Sequence, residues 1–260
     1  MVDYLSQYNI ITIGLAASIL AGLCTGLGAI PIFFTKKISH KALDILLGFA
    51  AGVMLAATCF SLIIPAIEYG GHGRRGATIA VIGILLGGIF LDLMDQYSPH
   101  NYFLKLPNGS ESNQLRKVWL FVIAITLHNF PEGLAVGVGF GNGDIGNGLT
   151  IAIAIGLQNI PEGLAVALAL IREKYSATKA FLIALATGLV EPIGGVIGVA
   201  LVHIASPVLP YALAFAAGAM LYVICNEIIP ETQKHGYERI ATYGLMIGFV
   251  IMMFLDVSLG

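Results

Sequence analysis

The chain has 260 residues, 57% of them hydrophobic and only 11% charged, with a formal net charge of −2. Apolar stretches of about twenty residues recur along it, each able to cross a hydrocarbon core roughly 30 Å thick as a helix. That balance excludes an ordinary soluble domain. The near-zero charge is silent on nucleic acid, and no basic aromatic patch supports such a partner.

Spans are expected at about 10–34, 41–66, 76–97, 117–141, 147–172, 178–203, 208–231 and 238–258. The fold class is therefore all-α: a polytopic protein of eight transmembrane helices, one domain over residues 1–260 in contact with the lipid bilayer. Asp3 but no Lys or Arg precedes the first span, so a signal peptide's charged n-region is missing and the span is read as retained. Lys36, Lys37, Lys41, Lys105, Arg116, Lys117, Arg172, Lys174, Lys179, Lys234 and Arg239 follow odd-numbered spans; only Arg74 and Arg75 lie on the other side. This bias puts both termini outside the cytoplasm of a cell (inner) membrane. The polar segment 98–116 reads as a mobile cytoplasmic loop, and the short turn from Asn142 to Asn147 makes spans four and five a hairpin. Cys24, Cys59 and Cys225 have no metal-finger spacing and read as buried small hydrophobes.

Inside that hairpin one motif occurs twice. His128-Asn129-Phe130-Pro131-Glu132-Gly133-Leu134-Ala135-Val136 is echoed by Gln158-Asn159-Ile160-Pro161-Glu162-Gly163-Leu164-Ala165-Val166. In each copy the first residue and the glutamate are spaced i, i+4 and share a helix face. A histidine and carboxylate from one helix, facing an amide and carboxylate from the next, resemble half of a metal site.

A quieter repeat relates Phe49-Ala50-Ala51-Gly52-Val53-Met54-Leu55 in span two to Phe215-Ala216-Ala217-Gly218-Ala219-Met220-Leu221 in span seven. Both run on to a cysteine and an Ile-Ile-Pro. Spans two and seven point in opposite directions, so this pattern marks an inverted repeat, spans one to three against six to eight, around the central hairpin. Small residues at such offsets also serve ordinary helix packing.

Depth sharpens the chemistry. His128, Glu132, Gln158, Glu162, Glu191 and Met54 all fall near mid-span, where each charge costs roughly 2.5–3.5 kcal/mol. No Lys or Arg lies at that depth, and a divalent cation would neutralise the carboxylates. Pro131, Pro161 and Pro192 each free the carbonyl four residues earlier, at Leu127, Leu157 and Gly188, which a water or hydrated cation could meet.

At these residues the chain resembles the ZIP (Zrt/Irt-like) family of divalent metal transporters, its bacterial GufA-like branch above all. The resemblance covers nearly the whole length: the HNxPEG and xNxPEG motifs, the Glu191-Pro192 of span six and the AAGxM of span two. It implies a binuclear transport site, one metal on Met54, His128, Glu132, Gln158 and Glu162, its neighbour on Asn129, Asn159 and Glu191, with Glu132 and Glu162 bridging. It also implies alternating access and a homodimer. Many relatives begin the second motif with His where this chain has Gln158, and some carry an acid in place of Asn159. Zinc accepts imidazole and carboxylate alike, whereas an oxygen-rich set leans toward Mn²⁺ or Fe²⁺. Zinc is the first choice of substrate, with Cd²⁺, Fe²⁺ and Mn²⁺ also open; no cofactor and no enzymatic activity are expected.

Acids near span ends suggest a pathway: Glu68 and Asp256 toward the outer mouth, Asp92 and Glu227 toward the inner one, with Asp95 and Glu231 nearby. His40, His72, His203 and His235 lie at loop or span ends and read as interfacial or solvated. Two other functions stay open, an intramembrane metal-dependent hydrolase and a proton- or sodium-coupled transporter of another substrate. No HExxH helix or evident general base favours the first, and His128 with Met54 fits the second less well.

Overall fold

The computed structural model describes residues 5–35, 38–97, 110–141 and 143–259. Among them no strand occurs, and eight long helices follow one another: α1 (Ile10–Phe33), α2 (His40–Tyr69), α3 (Gly73–Tyr97), α4 (Ser110–Gly141), α5 (Ile145–Arg172), α6 (Ala177–Ile204), α7 (Leu209–Thr232) and α8 (Glu238–Leu259). Among the described residues, α1 to α3 and α5 to α8 are long and apolar enough to span a membrane by length and composition. α4 is the longest, 32 residues, with a polar first turn and the first motif at its middle. It begins before the span expected from 117, because Ser110 to Arg116 continues the helix. Residues 98–109 of the expected loop lie outside the described residues.

Local chemistry starts several helices where the sequence supplies a cap. Asn9 Oδ1 accepts from the Ile11 amide at 2.9 Å, Ser39 Oγ from Ala42 at 3.2 Å, and Asp144 Oδ1 from Asn147 at 3.0 Å. Each satisfies an amide that has no partner inside its own helix. The Asp144 cap closes the α4–α5 turn. Pro131 and Pro161 are accommodated within unbroken helices. Pro192 is different: α6 is interrupted at Leu189 and Val190, and its second half opens at Glu191-Pro192. The Gly188 carbonyl that this proline frees is turned against Gly22 of α1, where an added Cβ would lie 2.3 Å away.

Close backbone contacts reveal the repeat that the sequence only hinted at. α1 packs on α5, and α6 on α4; α2 packs on α8, and α7 on α3. Exchanging α1 with α6, α2 with α7, α3 with α8 and α4 with α5 turns each contact into another. The glycines follow the same exchange. A Cβ on Gly52 would lie 1.9 Å from the Leu245 carbonyl oxygen, and one on Gly218 would lie 2.0 Å from that of Ile84. Gly248 stands against Phe49 as Gly87 stands against Phe215. Gly163 meets Thr25 as Gly133 meets Glu191. Gly22 and Gly188 exchange with each other, each against the other's carbonyl oxygen, so the pseudo-twofold axis passes between them. Both α2 and α7 also carry a π-helical turn after their shared motif, Thr58–Ile63 and Ile224–Ile228.

The helices divide into an interior and a periphery. α2, α4, α5 and α7 supply most of the buried side chains, whereas α3 and α8 leave long rows of Leu, Ile, Val and Met exposed. Such rows face acyl chains without penalty. Two cysteines depart from the buried reading. Cys24 and Cys59 are only half-buried, and Cys225, on the π turn of α7, is exposed.

Neighbouring glycines on α3 separate packing from propensity. Gly87 has the Phe215 carbonyl oxygen 2.0 Å from a would-be Cβ, whereas the nearest such atom for Gly88 is 3.8 Å away. Gly87→Ala is expected to destabilise the protein by about 1–3 kcal/mol through overpacking. Gly88→Ala should be neutral or stabilising, since Ala is the better helix former. Thermal denaturation of the two variants in detergent checks the contrast.

Candidate metal centre

The two motif copies fold into the centre of the molecule. None of Met54, His128, Asn129, Glu132, Gln158, Asn159, Glu162 and Glu191 is more than 3% exposed. Within the hairpin, Gln158 Nε2 donates to Glu132 Oε1 at 2.5 Å, which joins the two copies directly. Asn159 Nδ2 donates to Glu191 Oε1 at 2.7 Å and to the Ala21 carbonyl at 2.9 Å, which ties α5 to both α6 and α1. Met54 is buried at mid-length of α2 within the main apolar core, and its carbonyl accepts from Thr58 Oγ1 at 2.7 Å.

What these side chains leave unbonded is more telling than what they bond. His128 Nδ1, both amide atoms of Asn129, Glu132 Oε2, Gln158 Oε1, Asn159 Oδ1, Glu162 Oε1 and Glu191 Oε2 are buried without a hydrogen-bond partner. Buried polar atoms in native proteins are nearly always partnered, and leaving one bare costs free energy. Nearly all of them can give a lone pair. The carboxylates also repel one another: Glu132 feels the charges of Glu162 and Glu191. Among the described residues, no three His, Cys, Asp or Glu side chains stand close enough to hold a metal by themselves. The cluster depends on the amides of Asn129, Gln158 and Asn159 to complete a donor set.

The four pathway acids are placed unequally. Glu227 approaches closest: its Oε1 lies 2.5 Å from His128 Nε2, with its side chain 22% exposed. The α7 glutamate therefore touches the centre itself rather than standing apart at the inner end. Nε2 is thus engaged by a carboxylate, and Nδ1 is the ring nitrogen without a partner. Asp92 accepts from Tyr222 Oη at 3.1 Å, across the α3–α7 contact. Asp256 accepts from Ser61 Oγ, across the α2–α8 contact. Glu68 is exposed at the end of α2.

The inverted repeat shows that its two π turns differ. On α7, Cys225 and Asn226 are exposed and Glu227 partly so; on α2, Cys59 and Phe60 are half-buried and Ser61 is buried. The α7 turn is thus the more exposed of the two.

Sequence reasoning missed several of the residues gathered here. Thr25 and the Ala21 carbonyl come from α1, a Gly- and Ala-rich helix with no charged residue to draw attention. Ser61 and Tyr222 are ordinary polar residues until their acids are located. His235, read as interfacial or solvated, bonds through Nδ1 to Asp44 Oδ1 at 3.1 Å and stacks on His40 with ring centroids 4.1 Å apart. Asp44 is completely buried. Its place in the first turns of α2 had suggested nothing, since helix-end acids are commonly solvated.

Comparison with known proteins identifies the family. A family profile described as "ZIP Zinc transporter" matches residues 108–256, which contain both motif copies, Glu191 and the π turn of α7. The zinc transporter GufA of Myxococcus xanthus is 49% identical over 251 residues, covering 95% of this chain and 99% of that protein. The zinc transporter ZIPB of Bordetella bronchiseptica is 42% identical over 268 residues, covering all of this chain and 86% of that protein. The similarity extends to animals: the zinc transporter ZIP11 of Homo sapiens is 36% identical over 321 residues. With a matching profile over more than half its length and full-length relatives at these identities, the chain is a polytopic membrane protein of the ZIP family, GufA-like within it.

Proposed function

We propose that this protein transports divalent metal cations, zinc first among them, through the centre between α4, α5 and α6, and that it does so by alternating access. The observation that carries the reading is the set of buried lone pairs with no partner and no basic residue at that depth. A cation of charge +2 supplies both the missing partners and the missing counter-charge. Unlike a structural zinc site, which is closed by four strong ligands, this set mixes one imidazole with carboxylates and amides. Such a mixture binds firmly enough to desolvate the ion and weakly enough to let it leave.

The route follows the gates. Oriented by the positive-inside bias, the Asp256–Ser61 contact lies toward the outer face and Glu227 toward the cytoplasm, so the cation moves inward. Glu68 and Asp256 line the entry once the α2–α8 contact opens. Glu132 and Glu162 then share the ion between a compartment with His128, Gln158 and Met54 and one with Asn129, Asn159 and Glu191. Glu227, in contact with His128 and partly solvated, receives the ion on its way out, with Asp92 beyond it. A homodimer, as the resemblance implies, is the working assembly, and both termini lie outside the cytoplasm. The cation is cargo, and no covalent chemistry is required of the protein.

Uptake into proteoliposomes, with Zn²⁺ as tracer and Cd²⁺, Fe²⁺ and Mn²⁺ as competitors, tests the reading. Zn²⁺ accumulation in vesicles of the wild-type protein, abolished by Glu132→Gln, is the expected result. Accumulation equal to that of empty vesicles, from protein that is folded, would sink it.

Glu227→Gln separates release from binding. Equilibrium Zn²⁺ affinity should fall less than threefold, while stopped-flow uptake slows by about tenfold, because the charge that draws the ion off the centre is gone. Should Glu227→Gln weaken binding as severely as Glu132→Gln, Glu227 is a ligand of the centre and not the first acceptor beyond it.

Asn159→Asp tests the weaker compartment. Asn159 now donates to both Glu191 and the Ala21 carbonyl, so an aspartate there brings two carboxylates together and leaves the Ala21 oxygen without that donor. The metal-free variant should melt lower than wild type, by several degrees for a loss of about 1–3 kcal/mol. Adding Zn²⁺ should raise its melting temperature by more than it raises the wild type's, since a negative ligand has replaced a dipole. Equal metal-induced shifts in the two proteins would show that Asn159 is not a ligand.

A further inference from the structure

The pseudo-twofold exchange that relates α1 to α6 places one residue opposite Glu191. Gly163 packs against the carbonyl of Thr25 just as Gly133 packs against that of Glu191, and Gly28 against Ile160 just as Gly194 against Phe130. Thr25 therefore occupies on α1 the place that Glu191 occupies on α6. It is 1% exposed.

Its hydroxyl breaks the habit of this chain. Among the described residues seven serines and threonines are buried. Ser18, Thr58, Thr150, Thr187 and Thr232 each donate to a carbonyl three or four residues earlier, at 2.7–3.0 Å, and Ser61 donates to Asp256. Thr25 Oγ1 alone has no partner. The carbonyl it would ordinarily use belongs to Ala21, one turn earlier, and that oxygen already accepts from Asn159. The hydroxyl instead lies over Gly188, where an added Cβ would be 2.5 Å away, at the break that leads into Glu191. Gly22, one turn before Gly26 on the same helix, has Glu191 Oε1 within 3.6 Å of a would-be Cβ. So Thr25 stands on α1 where that helix meets Gly188 and Glu191, one turn after the carbonyl that Asn159 holds.

We propose that Thr25 is an oxygen donor of the compartment formed by Asn129, Asn159 and Glu191, and that it takes a divalent cation, or a water bound to one, through Oγ1. This rests on the transport reading above. A neutral hydroxyl opposite a carboxylate makes the compartment oxygen-rich but low in charge, which favours a hard or partly hydrated cation over tight dehydrated capture. A carboxylate there would have completed a symmetric pair with Glu191 and held the ion for longer.

The test uses the intact protein in detergent, with Zn²⁺ and Mn²⁺ as probes, and the variants Thr25→Val, Thr25→Ser and Glu191→Gln. Valine keeps the shape and removes only the oxygen. Competition against a fluorescent chelator is expected to show two binding events in wild type. Thr25→Val should weaken the weaker event by about tenfold, the scale of one lost contact to a charge. Glu191→Gln should weaken the same event, and Thr25→Ser should leave it near wild type. Melting temperature gives an independent readout. Removing an unpartnered buried hydroxyl should leave the metal-free protein as stable as wild type or more so, while shrinking the rise on adding metal. A lower metal-free melting temperature with an undiminished rise would make Thr25 a structural residue and overturn the proposal. So would a weaker event lost in Glu191→Gln but unchanged in Thr25→Val. If neither Glu191→Gln nor Glu132→Gln alters binding, the transport site itself is misassigned and the role of Thr25 falls with it.

Discussion

Three carboxylates buried at the middle of a membrane protein, with no lysine or arginine at their depth, are the constraint on which the rest of this structure turns. Glu132, Glu162 and Glu191 are each at most 2% exposed. An isolated charge in such surroundings is expensive, and breaking or omitting its partner is worse than having no charge at all. The protein offsets part of the cost internally: Gln158 gives an N–H to Glu132, and Asn159 gives one to Glu191. It stops there. One oxygen of each carboxylate is left bare, beside the bare amide oxygens of the same donors. A protein selected only for stability would have filled these positions with leucine. The unfinished bonding is what the proposed cation would complete.

Holding that cluster together in lipid calls for helices that meet closely. The glycine contacts supply the closeness. Backbone touches backbone between α1 and α5, α4 and α6, α2 and α8, and α3 and α7, at spacings that admit no side chain. In lipid the apolar tails compete with apolar side chains, so tight van der Waals contact is the main force left to hold helices together. Because the same four pairings recur under the exchange of halves, a rearrangement open to one half is open to the other.

Much of this was legible in the residues, and the reasons for the gaps are physical. The eight spans could be read because the hydrophobic run is the signal itself: backbone groups in lipid have no alternative to the helix. Even so α4 starts earlier than hydropathy suggests, since its first turns are polar and helix formation does not require lipid. The motif pair gave His128, Glu132, Gln158 and Glu162, because ionisable side chains in an apolar run stand out. Glu227 was recognised as an acid but not as a neighbour of His128; a π turn rotates α7 at that point, and helical periodicity does not foresee it. Thr25 and the Ala21 carbonyl could not be seen at all. A threonine in a membrane helix is ordinary, and only the backbone contacts of Gly163 and Gly133 show that it stands opposite Glu191. The relation between α1 and α6 survives in geometry after it has faded from the sequence.

The two halves are related but not equal, and they differ most at their polar positions. Met54 has its counterpart in Met220, and Asn129 in Asn159. His128, however, is matched by Gln158, and Glu191 by Thr25. At the gates the α2 π turn carries Ser61, locked to Asp256, where the α7 π turn carries Asn226 and Glu227, open and resting on His128. A perfectly symmetric inverted repeat would favour neither orientation and would bind its ion equally from both sides. Here the α7 turn presents a partly exposed carboxylate that contacts His128, where the α2 turn presents a buried hydroxyl that holds Asp256. Each side thus has an acid, and among the described residues the α7 acid is the one that reaches the imidazole. The packing of the repeat is kept while its polar positions diverge, so the two sides of the centre are chemically distinct.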